Sequence, residues 1–220
     1  MFPVSIPEIV TRVLILLVVF PAHELAHALS ATALGDPTPR QNGRLTLNPI
    51  RHLDLWGSLL FLVAGVGWAS TPINPANFGD KWRLKLGMVS LVGPLTNLAL
   101  ALAGSALFRL FGSLALPESA ADYLPSPAYF FALFTFLNLL LGFFNLIPVA
   151  PLDGAQVLGA LIPDGIAREY ESVQRYGFYI LIVLLFVLPR FGIDILGFLV
   201  NTVVLPLGQP LIPGLSRLFA

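Results

Sequence analysis

Residues 9–34 are apolar enough to cross a membrane, yet His23, Glu24 and His27 stand inside that run. A spanning helix needs about 20 mostly apolar residues, and the run supplies them before Gly35-Asp36-Pro37 stops it. Ionisable groups in hydrocarbon are costly, so these three, so close together, call for a shared partner. On a helix His23 and His27 are four residues apart and face the same way, so both rings can bind one metal ion. Glu24 sits one position round, off that face but placed to take a proton from a nearby water. His-Glu-x-x-His in this setting is the layout of a zinc hydrolase.

Further apolar runs follow at 56–69, 86–114, 128–149, 176–188 and 193–207. The run at 56–69 is short and contains Gly57, Gly65 and Gly67, which favours a re-entrant element over a full span. The expected fold is an all-α polytopic membrane protein, a bundle of about five to six transmembrane or re-entrant helices. Residues 1–220 read as one integral-membrane domain, with a catalytic core over about 9–160 and accessory helices over about 176–207. Residues 36–55 are polar, and within them Gly43-Arg44-Leu45-Thr46-Leu47 alternates like a strand, so a small β-hairpin-like element is expected there.

Composition agrees. Hydrophobic residues make up 56% and charged residues 11% of the chain, against about 25% charged in an average soluble domain; mean hydropathy is +0.84. Twelve Lys/Arg balance twelve Asp/Glu, so no electrostatic surplus recommends a nucleic-acid partner. With no cysteine, disulfides, thiolate nucleophiles and Cys-ligated metals are excluded. Arg12 before an apolar run, with Ala28-Leu29-Ser30-Ala31 beyond, loosely resembles a cleavable leader. The single late arginine, and two His and a Glu where a bland stretch belongs, favour a retained membrane helix.

Charge orients the bundle. Arg40, Arg44, Arg51, Lys81, Arg83 and Lys85 lie between residues 40 and 85, whereas residues 115–127 carry Glu118 and Asp122 and no Lys or Arg. The positive-inside rule therefore puts 36–85 in the cytoplasm and the metal motif toward that side.

A catalytic zinc usually has three protein ligands plus a water, so one is missing. Most remaining acids lie in polar loops. Asp153 differs: it ends an apolar span at the broken turn Pro148-Val149-Ala150-Pro151-Leu152-Asp153-Gly154, on the same side as the two histidines. Backbone broken in this way is tolerated in a membrane only beside protein or a wet cavity, and Asp153 is the best third ligand. His52, between polar neighbours, reads as a loop-surface residue, with a place on a water path as the alternative.

These segments resemble the site-2 protease family of intramembrane zinc metalloproteases. The resemblance rests on His23-Glu24-Leu25-Ala26-His27, on Asn145-Leu146-Ile147-Pro148-Val149-Ala150-Pro151-Leu152-Asp153-Gly154, and on Gly93-Pro94-Leu95-Thr96-Asn97. It covers residues from about 9 to 160, without the PDZ or CBS modules that many relatives carry; position 150 is Ala where relatives often have Pro. The resemblance implies one Zn2+ per chain held by His23, His27 and Asp153, with Glu24 as the catalytic general base. It also implies a transmembrane protein substrate within the lipid bilayer of a prokaryotic plasma membrane. Asn145 is a candidate substrate-binding residue, donating to substrate backbone or oxyanion, or else a helix–helix contact. Asn97 reads mainly as packing, with Gly93 allowing close helix approach. The competing readings are a non-proteolytic metal-binding membrane protein or transporter, and a prenyl-protein protease. The first needs a polar path through the external half, where ionisable residues are few; the second is associated with a glutamate ligand rather than Leu-Asp-Gly. His/His/carboxylate suits several divalent ions, zinc foremost.

Overall fold

A computed structural model of the chain describes residues 6–67, 69–121 and 123–218; Asp122 of the acidic loop lies outside them. Helix α1 (Ile6–Ala33) is followed by a short turn of helix, α2 (Thr38–Gln41), then α3 (Leu55–Ala64), α4 (Trp82–Phe111), α5 (Glu118–Ala121) and α6 (Pro127–Asn145). Two shorter helices, α7 (Asp153–Leu161) and α8 (Asp164–Gln174), precede helical segments Gly177–Phe191 and Ile195–Gly208.

Three helices are long and apolar enough to cross a membrane: Ile6–Ala33, Pro75–Phe111 and Pro127–Asn145. A fourth is reached if α8 and Gly177–Phe191, which meet at 64°, are taken as one broken span. Among the described residues the full spans are thus three or four, and the expected five to six transmembrane or re-entrant helices are reached only if shorter apolar helices are counted with them. The difference lies in length. Helix α3 has 10 residues, so it rises about 15 Å, half of a hydrocarbon core of about 30 Å.

Helix α3 begins where Asp54 Oδ1 accepts from Gly57 N (2.8 Å), the usual first-turn cap. It ends at Gly65, whose φ of +74° reverses the chain. The return passes so close to the helix that a Cβ on Gly67 would meet Gly57 O and Phe61 Cβ. Arg12 of α1 holds the far end, its guanidinium donating to Leu62 O (2.7 Å), Val63 O (2.9 Å) and Glu8 (2.8 Å). A cation at a helix C-terminus satisfies its last carbonyls. Folding back along its own helix, this segment supports the re-entrant reading.

Residues 43–47 run from a turn at Gly43 through bends at Leu45 and Thr46, and among the described residues no strand is present. Their backbone groups are satisfied locally: Arg44 N donates to Pro39 O (2.9 Å), and Thr46 O accepts from His52 Nε2 (2.7 Å). A lone alternating run without a partner strand has no ladder to join. His52 accordingly corrects the surface reading, since it is 1% exposed and tucked beneath this loop.

Helix α6 is the most enclosed span, with 67% of its apolar window buried against 44% for the other two. Its residues Leu137, Leu140 and Phe144 join Ile15, Val19, Phe20 and Phe61 in the main core. Helix α4 packs on α1, α6 and α7, so it touches both elements that bear the metal-binding candidates. The end of α1 is tied down from α4, where Lys85 Nζ donates to Leu34 O (3.2 Å). Asp36, fully buried, accepts from Thr38 N (3.0 Å), Asn74 N (2.8 Å) and Asn77 Nδ2 (2.6 Å), joining α1 to the segment before α4.

Candidate metal centre

Helix α1 turns His23, Glu24 and His27 inward, each less than a tenth exposed. Asp153, the first residue of α7, arrives by the turn that follows the end of α6 at Asn145. A tight turn brings it there, in which a Cβ on Gly154 would strike Leu146 O and Ile147 O. Glycine after the aspartate is therefore required for the chain to pass. The Ala150–Pro151 peptide bond is cis.

The three candidate ligands converge. His23 Nε2 and His27 Nε2 are 3.0 Å apart, His23 Nε2 lies 3.2 Å from Asp153 Oδ2, and His27 Nε2 lies 3.3 Å from Asp153 Oδ1. Metal–ligand bonds of about 2.0–2.1 Å in a tetrahedron place neighbouring ligand atoms about 3.3 Å apart, so the triangle fits zinc. Among the described residues this is the one group of three such side chains able to hold a metal.

The outer faces of the rings settle their tautomers. His23 Nδ1 is 2.6 Å from Asn97 Oδ1, and His27 Nδ1 is 2.8 Å from Val89 O. A carbonyl oxygen only accepts, so each Nδ1 carries a proton, and in the neutral form each ring then turns a lone pair inward at Nε2. Two such lone pairs facing a carboxylate in a buried space repel unless a cation lies between them. Asn97 is itself held, its Nδ2 donating to Asn138 Oδ1 (3.2 Å), and Asn138 Nδ2 donates to Phe134 O (2.9 Å).

Glycine at 93 makes room for the centre. A Cβ there would meet His27 Nε2, His27 Cε1 and His23 Cε1, so α4 can lie against the two rings only without a side chain. Glu24 does not join the triangle; its Oε2 accepts from the Thr71 hydroxyl at 2.6 Å. Thr71 belongs to the chain returning from α3, which lines one wall of a cavity of about 150 Å³ together with Ala69, Ser70 and Ile73. His23, His27, Glu24 and Asp153 line it too, as does Asn145. The Asn145 amide turns back on its own helix, donating to Leu141 O (3.0 Å).

Sequence reasoning anticipated the convergence of His23, His27 and Asp153 but not the supports. Asn97 orients His23, beyond the packing role expected of it, and Thr71 was not foreseen. An acceptor three residues beyond Pro94 was the available signal for the first; nothing local marks Thr71.

A helical membrane bundle with a buried His-His-carboxylate centre and an adjacent glutamate defines a class: the membrane-embedded His-Glu-x-x-His metal proteins. The chain belongs to peptidase family M50, whose family model matches residues 11–188. It is 44% identical over 178 residues, 80% of each chain, to the protein named "Putative zinc metalloprotease YwhC" of Bacillus subtilis. It is also 31% identical over 170 residues to "Putative zinc metalloprotease Rip2" of Mycolicibacterium smegmatis, covering 74% of this chain and 61% of that one. The Rip2 of Mycobacterium tuberculosis strain H37Rv is 30% identical over the same shares. No solved structure matches the chain.

Proposed function

We propose that this chain is an intramembrane zinc metalloendopeptidase that hydrolyses peptide bonds in or near transmembrane segments of other proteins. The observation that carries this reading is the His23–His27–Asp153 triangle beside Glu24 in a cavity walled by membrane helices. His23, His27 and Asp153 hold the zinc; Glu24 is the general base. When bound, zinc acidifies a water to a pKa of about 7 and polarises a carbonyl.

The chain's own residues do the rest. Glu24 takes the proton of the attacking water and returns it to the leaving amine nitrogen. Thr71 engages Oε2 of that carboxylate, which directs Oε1 to the water. Asn97 and the Val89 carbonyl keep the imidazoles in the tautomer that presents Nε2 to the metal. Asn145, which lines the cavity, is placed to meet the substrate backbone once its amide leaves Leu141 O.

A peptide bond in a helix is shielded by its own hydrogen bonds, so the substrate binds unwound. Residues 43–47 form no strand here, and Arg44 N and Thr46 O are bonded to Pro39 O and His52 Nε2; they are the proposed edge for holding the substrate by strand addition once those two bonds open. Their link to the site supports this: Arg44 donates to Ser70 O (3.0 Å) in the cavity wall. Proline substitutions in 43–47 abolish cleavage while zinc stays bound; unchanged cleavage rejects the edge. The basic residues between 40 and 85 support a centre that faces the cytoplasm, in a prokaryotic plasma membrane.

The test uses detergent-solubilised protein and a membrane-protein substrate, comparing wild type with Glu24→Gln and Asp153→Ala. Glu24→Gln keeps zinc and loses cleavage; Asp153→Ala loses both. Equal cleavage by wild type and Glu24→Gln sinks the protease reading.

A further inference from the structure

The turn that delivers Asp153 has few hydrogen bonds of its own. Val149 N donates to Ile147 O (2.8 Å) and Leu152 N to Val149 O (3.0 Å), while Pro148 and Pro151 have no N–H to give. Two further groups, Ala150 N and Pro148 O, are satisfied from a distant part of the chain. Gln174, the last residue of α8, sets its side-chain amide against the turn. Its Oε1 accepts from Ala150 N at 2.7 Å, and its Nε2 donates to Pro148 O at 3.0 Å. A side chain thereby supplies both hydrogen bonds that a neighbouring peptide group would make.

Two more contacts at this elbow converge on the same segment. Gly177 lies so close to Ala150 that a Cβ would meet Ala150 O (2.5 Å), Cβ (2.6 Å) and N (2.8 Å). Tyr170 Oη donates to Ala155 O (2.8 Å) in the first turn of α7. The elbow thus grips the chain on both sides of Asp153, at Pro148 and Ala150 before it and at Ala155 after it. None of these groups reaches the metal triangle.

We infer that Gln174, seated by Gly177 and assisted by Tyr170, is a positioning residue that fixes the Asp153 carboxylate against His23 and His27, so that metal retention depends on the α8 elbow. This rests on the reading of Asp153 as a ligand. Without the clamp, the backbone groups of Ala150 and Pro148 seek other partners and the turn gains alternative conformations. Asp153 is three residues from Ala150, so its carboxylate shares that freedom. Loss of a group bonded directly to a metal ligand typically weakens metal binding about 10- to 100-fold; Gln174 acts one step further out, so the lower end of that range is expected.

The experiment reads zinc directly. Full-length protein in detergent is loaded with zinc and mixed with excess chelator, and release is followed with a zinc indicator. Gln174→Met keeps the side-chain length but makes neither bond, and it releases zinc about tenfold faster. Gln174→Glu keeps an acceptor for Ala150 N but loses the donor to Pro148 O, so its release is intermediate. Arg175→Ala, on the neighbouring exposed position, releases zinc as wild type does. Wild-type rates in both Gln174 variants overturn the clamp, as does accelerated release that only tracks a fall in melting temperature. If Gln174→Met does not fold, Gln174→Glu decides alone. Zinc held equally by wild type and Asp153→Ala overturns the ligand assignment itself, and the clamp with it; that pattern is distinct from a clamp failure, in which Asp153→Ala loses zinc and the Gln174 variants do not.

Discussion

His23 Nδ1 donates to Asn97 Oδ1 across 2.6 Å, so a ring on α1 takes its orientation and tautomer from α4. Truncation by Asn97→Ala removes the acceptor and leaves a buried N–H unpaired. Zinc affinity then falls about 10- to 100-fold, measured by competition with a chelator of known strength. Cleavage falls in step at limiting zinc and recovers partly at excess zinc.

Gly93→Ala tests the contact between α4 and the two rings. The added methyl overlaps both imidazoles, and they must rotate out of the triangle or push α4 away. Zinc content measured by elemental analysis of the purified protein drops toward zero. Helix content by circular dichroism stays near wild type, because alanine favours a helix more than glycine does.

Thr71→Val retains the shape of the side chain and removes the hydroxyl that engages Glu24. A hydrogen bond to a charged group is worth about 1.5–3 kcal/mol, so kcat falls about 10- to 100-fold with zinc content unchanged. Thr71→Ser restores most of it. In a Glu24→Gln background the valine has little further effect, since both changes act on one carboxylate.

Asp36 sets a pH dependence outside the spans. Burial raises its carboxyl, but the hydrogen bonds from Thr38, Asn77 and Asn74 outweigh this and hold it below its ordinary value of 3.8. A carboxyl depressed by folding stabilises the fold fully above the unfolded value and loses that contribution as pH falls through the folded one. Asp36→Asn therefore lowers the melting temperature at neutral pH, and its gap from wild type shrinks below pH 3.8. A gap that is constant across that window rejects the role.

The apolar runs showed where α1, α4 and α6 would lie, because burial in lipid demands length and hydrophobicity that any chain must display locally. The paired histidines were legible for a similar reason, since a four-residue spacing on a helix is a local fact. Run 56–69 was harder. Its fate depended on the return at Gly65 and Gly67 and on Arg12 reaching across from α1. The alternation at 43–47 misled because period alone does not create a partner strand, and His52 took one of its carbonyls instead.

Sequence by itself determined the membrane setting, the metal-binding chemistry and the candidate ligands His23, His27 and Asp153, because residue type, the four-residue histidine spacing and a Pro/Gly-broken turn ending an apolar run can each be read along the chain. Only the tertiary structure decided how they are held. Asn97 on His23, Thr71 on Glu24, Gly93 beneath both rings and Gln174 on the turn before Asp153 are each far in sequence from what they support. Such contacts follow from how helices cross and where broken backbone finds its hydrogen bonds, and neither is written in any local pattern.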